Sequence, residues 1–237
     1  MSFEWQAGSW LRWARTPGHD AYWDYRDLFF ESILPAPGRR TLEVGCGEGR
    51  VARDLARLGH RVVALDVSPT LAASAAAADP AGRYLAADAA ALPFPDESFD
   101  LVVAYNSLMT VDDLPAAVAE AARVLERGRP LCVCVAHPTT DAGRFQSLEP
   151  DAPFVIPGGY LGHHRVEDPV SCDGLEMTFT GWRHPLESYA RALEDAGLLI
   201  DRLREPPAPP DAADARPSDE RWRRLPMFLH LRAVKVP

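Results

Sequence analysis

Lysine is almost absent from this chain. Of its 25 basic residues only Lys235 is a lysine, so chemistries built on a lysine Schiff base, a Walker lysine or a Tyr-x-x-x-Lys pair have almost nothing to draw on. Positive charge is also in deficit: 25 Lys and Arg face 34 Asp and Glu, a formal charge of -9, and such a balance does not attract a phosphate backbone. No nucleic-acid partner is expected. No apolar run reaches the roughly 18 residues of a membrane span, and Met1 to Arg12 lacks the charged start and apolar stretch of a secretory leader. The expectation is a cytoplasmic protein without membrane contact. Cysteine is sparse: Cys46, Cys132, Cys134 and Cys172 do not form a Cys-x-x-Cys pair, so reduced thiols and no metal site are expected.

The chain does have length and apolar content. Its 237 residues are 47% hydrophobic and 25% charged, enough to bury a core and to exclude disorder or a collagen-like repeat. From Thr41 onward short apolar runs alternate with segments of helical period, the βαβ pattern of a parallel sheet covered on both faces. Arg40 to Val44, Arg61 to Leu65, Arg83 to Ala86, Phe99 to Ala104 and Leu131 to Ala136 read as five strands. Helices follow the first, second and fourth of them: Val51, Leu55 and Leu58 end at Gly59, Ser68-Pro69 opens an alanine-rich helix, and Asp112 or Asp113 caps one with the stripe Leu114, Val118, Ala121 and Leu125. Residues 137–184 break the rhythm. Rich in Pro, Gly and aromatic residues, they read as a lid over a substrate. A helix at Pro185 to Ala196 and strands at Leu198 to Leu203 and Met227 to Val236 complete the pattern, the strands joined by a proline-rich surface link at 206–210. Ahead of the sheet, Asp20 to Leu34 reads as a helix preceded by Trp5, Trp10 and Trp13. The expected organisation is one domain: a helical cap (1–37), a cofactor-binding core (38–136), the lid insertion (137–184) and a closing helix with strands (185–237).

The motif with the most chemical content is Leu42-Glu43-Val44-Gly45-Cys46-Gly47-Glu48-Gly49-Arg50, a glycine turn between strand and helix. Glycines let the backbone turn sharply and approach a ligand, and the helix that follows offers free N–H groups. Asp66 ends the second strand, where an acid accepts from both hydroxyls of a nucleoside ribose, and Asp88 follows the third. All three features fall at the carboxyl ends of adjacent parallel strands. Glu43 and Glu48 flank the turn and would repel a pyrophosphate, whereas a cofactor carrying a sulfonium and an ammonium would be welcome.

Taken together, Leu42 to Arg50, Asp66, Asp88 to Phe94, Ser98-Phe99-Asp100 and the strand to Ala104 resemble the class I S-adenosylmethionine-dependent methyltransferases, and within them the small-molecule group called type 11. The resemblance covers roughly residues 38–136 in motifs, and more loosely Pro185 to Val236. It implies a Rossmann-like, mostly parallel seven-stranded α/β sheet with the last strand antiparallel, and methyl transfer that leaves S-adenosylhomocysteine. It places Gly45 and Gly47 against the cofactor's amino-acid portion and ribose, with Glu43 beneath that loop. Asp66 would hold the ribose hydroxyls, Val67 would pack on the adenine, Asp88 would accept from the adenine amino group, and the Ala89 backbone would frame the ring. Asn106 falls where such families contact the methionine moiety. One departure is Arg127-Gly128-Arg129-Pro130, where the family has a Pro-Gly-Gly turn.

Direct methyl displacement needs collinear reactants more than a strong base. If the acceptor has a proton to lose, His137 at the end of the fifth strand is the candidate base; His163, His164 and His184 border the insertion, and His60 lies at the wrong end of the sheet. Tyr160, Phe154, Phe179 and Trp182 suggest an aromatic-lined pocket for a small organic acceptor, and the Arg and Ala bias fits a bacterial source with specialised metabolism. A monomer or homodimer is expected. Two other readings share parts of the pattern: an NAD(P)-dependent oxidoreductase, which the Gly-x-Gly-x-Gly-Arg spacing and the missing Tyr-x-x-x-Lys pair disfavour, and a non-methylating protein that keeps S-adenosylmethionine as a scaffold.

Overall fold

The structure is a computed structural model that describes residues 3–208 and 217–236, so the proline-rich link at 206–210 lies partly outside the described residues. Helices α1 (Ala7–Arg15) and α2 (Tyr22–Ile33) lead into β1 (Arg40–Val44), α3 (Arg50–Arg57), β2 (Arg61–Asp66), α4 (Pro69–Ala78) and β3 (Arg83–Ala86). The chain then returns through β4 (Leu101–Tyr105), α5 (Leu114–Val124) and β5 (Pro130–Ala136). After these come α6 (Pro138–Asp141), the short pair β6 (Arg144–Phe145) and β7 (Phe154–Val155), the hairpin β8 (His164–Cys172) and β9 (Leu175–Arg183), α7 (Leu186–Asp195), β10 (Leu198–Arg204) and β11 (Phe228–Lys235).

The main sheet has seven strands in the order β10-β11-β5-β4-β1-β2-β3, with β11 antiparallel to both of its neighbours. The remaining pairs, from β5 to β3, are parallel. The chain runs outward from β1 to β3 and then crosses back to β4, so helices leave in opposite directions between β1 and β4 and a crevice opens at the carboxyl ends of those two strands.

Local chemistry explains the elements. Every residue of β4 is buried, and alternation divides them: Val102 and Ala104 join the face covered by α5 and α7, while Leu101, Val103 and Tyr105 join the face covered by α2 and α3. Ser68 Oγ accepts from the Leu71 N–H at 3.2 Å to start α4, and Asp113, not Asp112, caps α5 through the Ala116 N–H at 2.9 Å. In the departure from the family turn, Gly128 adopts φ 72° and donates its N–H to the Lys235 carbonyl at 2.8 Å, so the bend before β5 is made without the usual residues. The sole lysine is structural: Lys235 Nζ donates to the Leu125 carbonyl at 2.7 Å, at the end of the sheet opposite the crevice. None of the four cysteines is in a disulfide.

The insertion is more ordered than its composition suggests. Residues 164–183 form a nine-pair antiparallel hairpin closed by Asp173 and Gly174, both at positive φ (48° and 80°). An Asp-Gly pair in that conformation is the preferred two-residue hairpin turn. Pro169 and the charged residues of β8 hide the strand from a periodicity reading.

His230 sits in β11, fully buried, edge-on to Phe29 with ring centroids 5.2 Å apart, and neither ring nitrogen has a hydrogen-bond partner. Burial lowers its pKa from 6.5 to about 4. The depressed value means that native stability falls as pH drops from about 6.5 through 4, because the unfolded chain takes the proton first. His230→Phe should remove that acid loss and raise stability by about 1 to 3 kcal/mol, the cost of a buried polar group left unpaired. Urea unfolding of both proteins at pH 7 and pH 5 checks this, and a variant no more stable than its parent at pH 5 would refute it.

Candidate functional site

The glycine turn hangs from the end of β2: the Gly45 and Cys46 N–H groups both donate to the Leu65 carbonyl at 2.8 Å. Gly45 stands at φ 77°, and a Cβ there would come within 2.3 Å of Ser107 Cβ, so β1 and the segment after β4 touch only because the side chain is missing. Ser107 Oγ donates to the Val44 carbonyl at 2.6 Å and closes that contact. Gly47, at φ 55°, donates its N–H to Asp66 Oδ2 at 2.8 Å, while the Ser68 N–H donates to Oδ1 at 2.9 Å. Asp66 is thus fixed by two backbone donors, and each of its oxygens retains a second acceptor position.

Beneath the turn Glu43 is 1% exposed and its Oε2 has no partner. Burial first, and the charge of Asp66 second, raise its pKa to about 8, against a smaller pull from Arg50 and Arg53. Glu48 behaves differently from the sequence expectation. Its carboxylate is neutralised by Arg53 at 2.8 Å and Arg15 at 3.3 Å, so it exerts little repulsion on a ligand at the turn.

These groups line one cavity of about 710 Å³ in the crevice. Glu43, Gly45, Gly47, Asp66, Val67, Asp88, Ala89 and Asn106 all contribute to its wall. Asp88 is exposed at the rim with Oδ1 on the Ala90 N–H at 2.9 Å, Ala89 is buried beside it, and Val67 presents an exposed apolar surface. Asn106 adopts φ 52°, donates its N–H to the Cys134 carbonyl at 2.8 Å and accepts from the Cys134 thiol at 3.4 Å.

The histidines are placed elsewhere. His137 does not line the cavity; its Nδ1 accepts from the Thr139 N–H at 3.2 Å to cap α6, which leaves the Nε2 proton for Glu205 Oε1 at 2.8 Å. His163 and His184 face each other through Nδ1 atoms 2.8 Å apart, also outside the lining. His19, on which sequence reasoning was silent, does reach the cavity, with Nδ1 and Nε2 each 3.1 Å from a carbonyl oxygen, of Pro17 and Cys172 respectively.

The roof is built from α1 and β9. Trp13 meets Phe179 edge-on at 5.7 Å, Trp10 meets it at 6.5 Å, and Gln6 Nε2 donates to Thr180 Oγ1 at 2.8 Å. Trp10 Nε1 lies where a Gly47 Cβ would come within 2.9 Å of it. Trp182 Nε1 donates to Asp112 Oδ1 at 3.3 Å, and Gly181 lets β9 approach the Met109 carbonyl, 2.6 Å from a would-be Cβ. Arg50 lies deeper, with Nη2 on Asp20 at 2.8 Å. Its one signal in the sequence is its place directly after the glycine turn.

This donor set suits S-adenosylmethionine. A fixed carboxylate acceptor suits a nucleoside, a buried acid with one unpartnered oxygen lies under the turn, and Arg15 and Arg53 are paired with Glu48. Residues 42–133 match the family model described as a methyltransferase domain. The demethylmenaquinone methyltransferase of Tropheryma whipplei (strain Twist) is 30% identical over 185 residues, 76% of this chain and 73% of that protein. The chain belongs to the S-adenosylmethionine-dependent methyltransferases. A demethylmenaquinone methyltransferase of Renibacterium salmoninarum is 37% identical over 116 residues, a match that spans 48% of this methyltransferase and 49% of that one. The crystal structure of an S-adenosylmethionine-dependent methyltransferase from Mesorhizobium loti superposes with TM-score 0.71 at 26% identity, covering 91% of this chain and 98% of the other. Among the described residues no helix is long and apolar enough to cross a membrane.

The raised pKa of Glu43 has a definite sign. Its folded value of about 8 exceeds the ordinary 4.5, so the proton stabilises the ligand-free fold fully below about pH 4.5, and that contribution is lost as pH rises through 8. Glu43→Gln should flatten the decline in unfolding free energy across this window. Urea titrations at pH 5, 7 and 9 that give parallel curves for the two proteins would refute the assignment.

Proposed function

We propose that this methyltransferase transfers the methyl group of S-adenosylmethionine to a small organic acceptor held beneath α1 and the hairpin β8–β9. The observation that carries the donor side is the carboxylate of Asp66, immobilised at the end of β2 by the Gly47 and Ser68 N–H groups with acceptor positions to spare. Asp66 takes the two ribose hydroxyls, Val67 and Ala89 frame the adenine, Asp88 accepts from its amino group, and Gly45, Gly47 and Asn106 border the amino-acid end. Glu43 lies under the turn as a latent negative charge. When bound, the cofactor supplies an electrophilic methyl carbon on a sulfonium sulfur.

The rest of the chain positions the acceptor. Trp10, Trp13, Phe179 and Trp182 offer flat apolar walls that exclude water and orient an aromatic or polycyclic body, a character shared by the acceptor named for the demethylmenaquinone relatives. Holding the nucleophile in line with the methyl carbon is the main catalytic contribution of such a site. In this reading residues 1–37 form the cap, 38–136 the donor core, 137–184 the acceptor cover and 185–237 the closing helix and strands of one domain. His137, outside the cavity, is a capping residue and not a base.

Asp66→Ala should weaken S-adenosylmethionine binding by about 1.5 to 3 kcal/mol, roughly ten- to a hundredfold in Kd, the effect of losing a charged hydrogen-bond acceptor. Isothermal calorimetry on both proteins is the measurement, and unchanged affinity would remove Asp66 from the donor site.

A further inference from the structure

The cavity wall contains a cation with an unused hand. Arg50 is 7% exposed and its plane is held from several sides: Nη2 donates to Asp20 at 2.8 Å, and the guanidinium carbon lies 4.4 Å from the Tyr22 ring centroid and 5.4 Å from that of Trp10. Its Nη1 has no hydrogen-bond partner. Tyr105, 5% exposed in the same wall at the end of β4, has a hydroxyl that meets the Cys134 thiol, a weak partner, and no nitrogen or oxygen, and it feels the charges of both Asp20 and Arg50. Its acidity is suppressed by burial, so it stays a neutral donor. A buried guanidinium N–H without a partner, beside a buried phenolic O–H matched only by sulfur, is costly unless an anionic oxygen completes it.

Among the described residues on this side of the cavity, the unpartnered oxygen of Glu43 belongs to a carboxyl that burial keeps protonated at neutral pH, and the other candidate bases have partners. His19 has a carbonyl oxygen against each ring nitrogen, Asp20 is paired with Arg50, Asp112 accepts from Trp182, and Asp113 caps α5. A hydroxyl or ammonium acceptor would have to lose a proton with nothing placed to take it, whereas a carboxylate arrives already ionised at neutral pH.

We propose, resting on the methyl-transfer reading of the same cavity, that the acceptor is a carboxylic acid bound as its anion, with Arg50 Nη1 and the Tyr105 hydroxyl receiving the carboxylate. One carboxylate oxygen forms a bond to the methyl carbon with its own electron pair as the carbon–sulfur bond breaks. The released pair stays on sulfur, and anion and sulfonium become a neutral ester and a neutral thioether, with no proton to transfer. Arg50 anchors the acid and Tyr105 orients it. The aromatic roof accepts whatever flat body the carboxylate carries.

The test uses the full chain saturated with S-adenosylhomocysteine, so that the donor's own carboxylate is already in place. Benzoate and 2-naphthoate are titrated against tryptophan fluorescence, which Trp10, Trp13 and Trp182 in the wall make sensitive to occupancy, with benzamide and 2-naphthamide as uncharged controls. The acids should bind at least about tenfold more tightly than the amides, as expected for a charge-assisted contact. Arg50→Gln should abolish that preference. Arg50→Lys, which keeps a cation for Asp20, should restore part of it, and Tyr105→Phe, which removes the hydroxyl and costs the protein only a weak thiol contact, should reduce it about threefold or more. S-adenosylhomocysteine affinity should stay within about twofold in all three variants. Acids that bind no better than amides, or fail to bind, overturn the inference, as does an Arg50→Gln protein that loses S-adenosylhomocysteine while keeping 2-naphthoate, because Arg50 would then serve the donor's carboxylate. If the parent protein does not take up S-adenosylhomocysteine at all, it is the methyl-transfer reading itself that fails.

Discussion

The site depends on a latch between two neighbouring strands. The Leu65 carbonyl accepts from Gly45 and Cys46, and the next side chain along, Asp66, accepts from Gly47. The parallel register that pairs Val44 with Leu65 brings these groups level, so a glycine turn that would otherwise have many conformations is held in one. The same contacts that order the turn also orient the carboxylate. The rigidity of the turn and the aim of the carboxylate therefore come from one set of hydrogen bonds, and a shift of one residue in the β1–β2 register would lose both.

A second constraint comes from the N-terminal segment, which ties the glycine turn and α4 to the roof. Glu4 accepts from the hydroxyls of Ser68 and Thr70 at the start of α4, and Arg15 reaches Glu48 at 3.3 Å and Ser74 at 2.9 Å. From the same stretch Gln6, Trp10 and Trp13 contact β9. The segment from Glu4 to Arg15 is thus shared between the glycine turn, the start of α4 and the hairpin, and it couples their positions.

Charge in the crevice is arranged with restraint. The chain is strongly acidic as a whole, yet within the cavity Glu48 is paired with two arginines and burial favours the protonated form of Glu43. A cation entering beside Glu43 would favour its ionisation, so the negative charge appears where and when it is matched.

Much of this was legible in the residues. The strand positions, the Ser68 cap, the glycine turn and Asp66 follow from local rules: apolar period, capping chemistry and the backbone freedom of glycine, each of which acts within a few residues. The hairpin at 164–183 was missed because Pro169 and the charges of β8 mask its alternation, although Asp173-Gly174 marked the turn. His137 was misplaced for a different reason. Its position after β5 brings the backbone to the crevice, but the first turn of α6 draws the ring away to an N–H of its own helix. Arg50, the neighbours His19 and Asp20, and Tyr105 come from three separate stretches of chain, and no spacing rule links them. Short-range chemistry in the sequence determined the elements and the glycine turn. Which side chains share the crevice, and which polar atoms are left without partners there, was decided only when the strand order reversed between β1 and β4 and brought distant segments together.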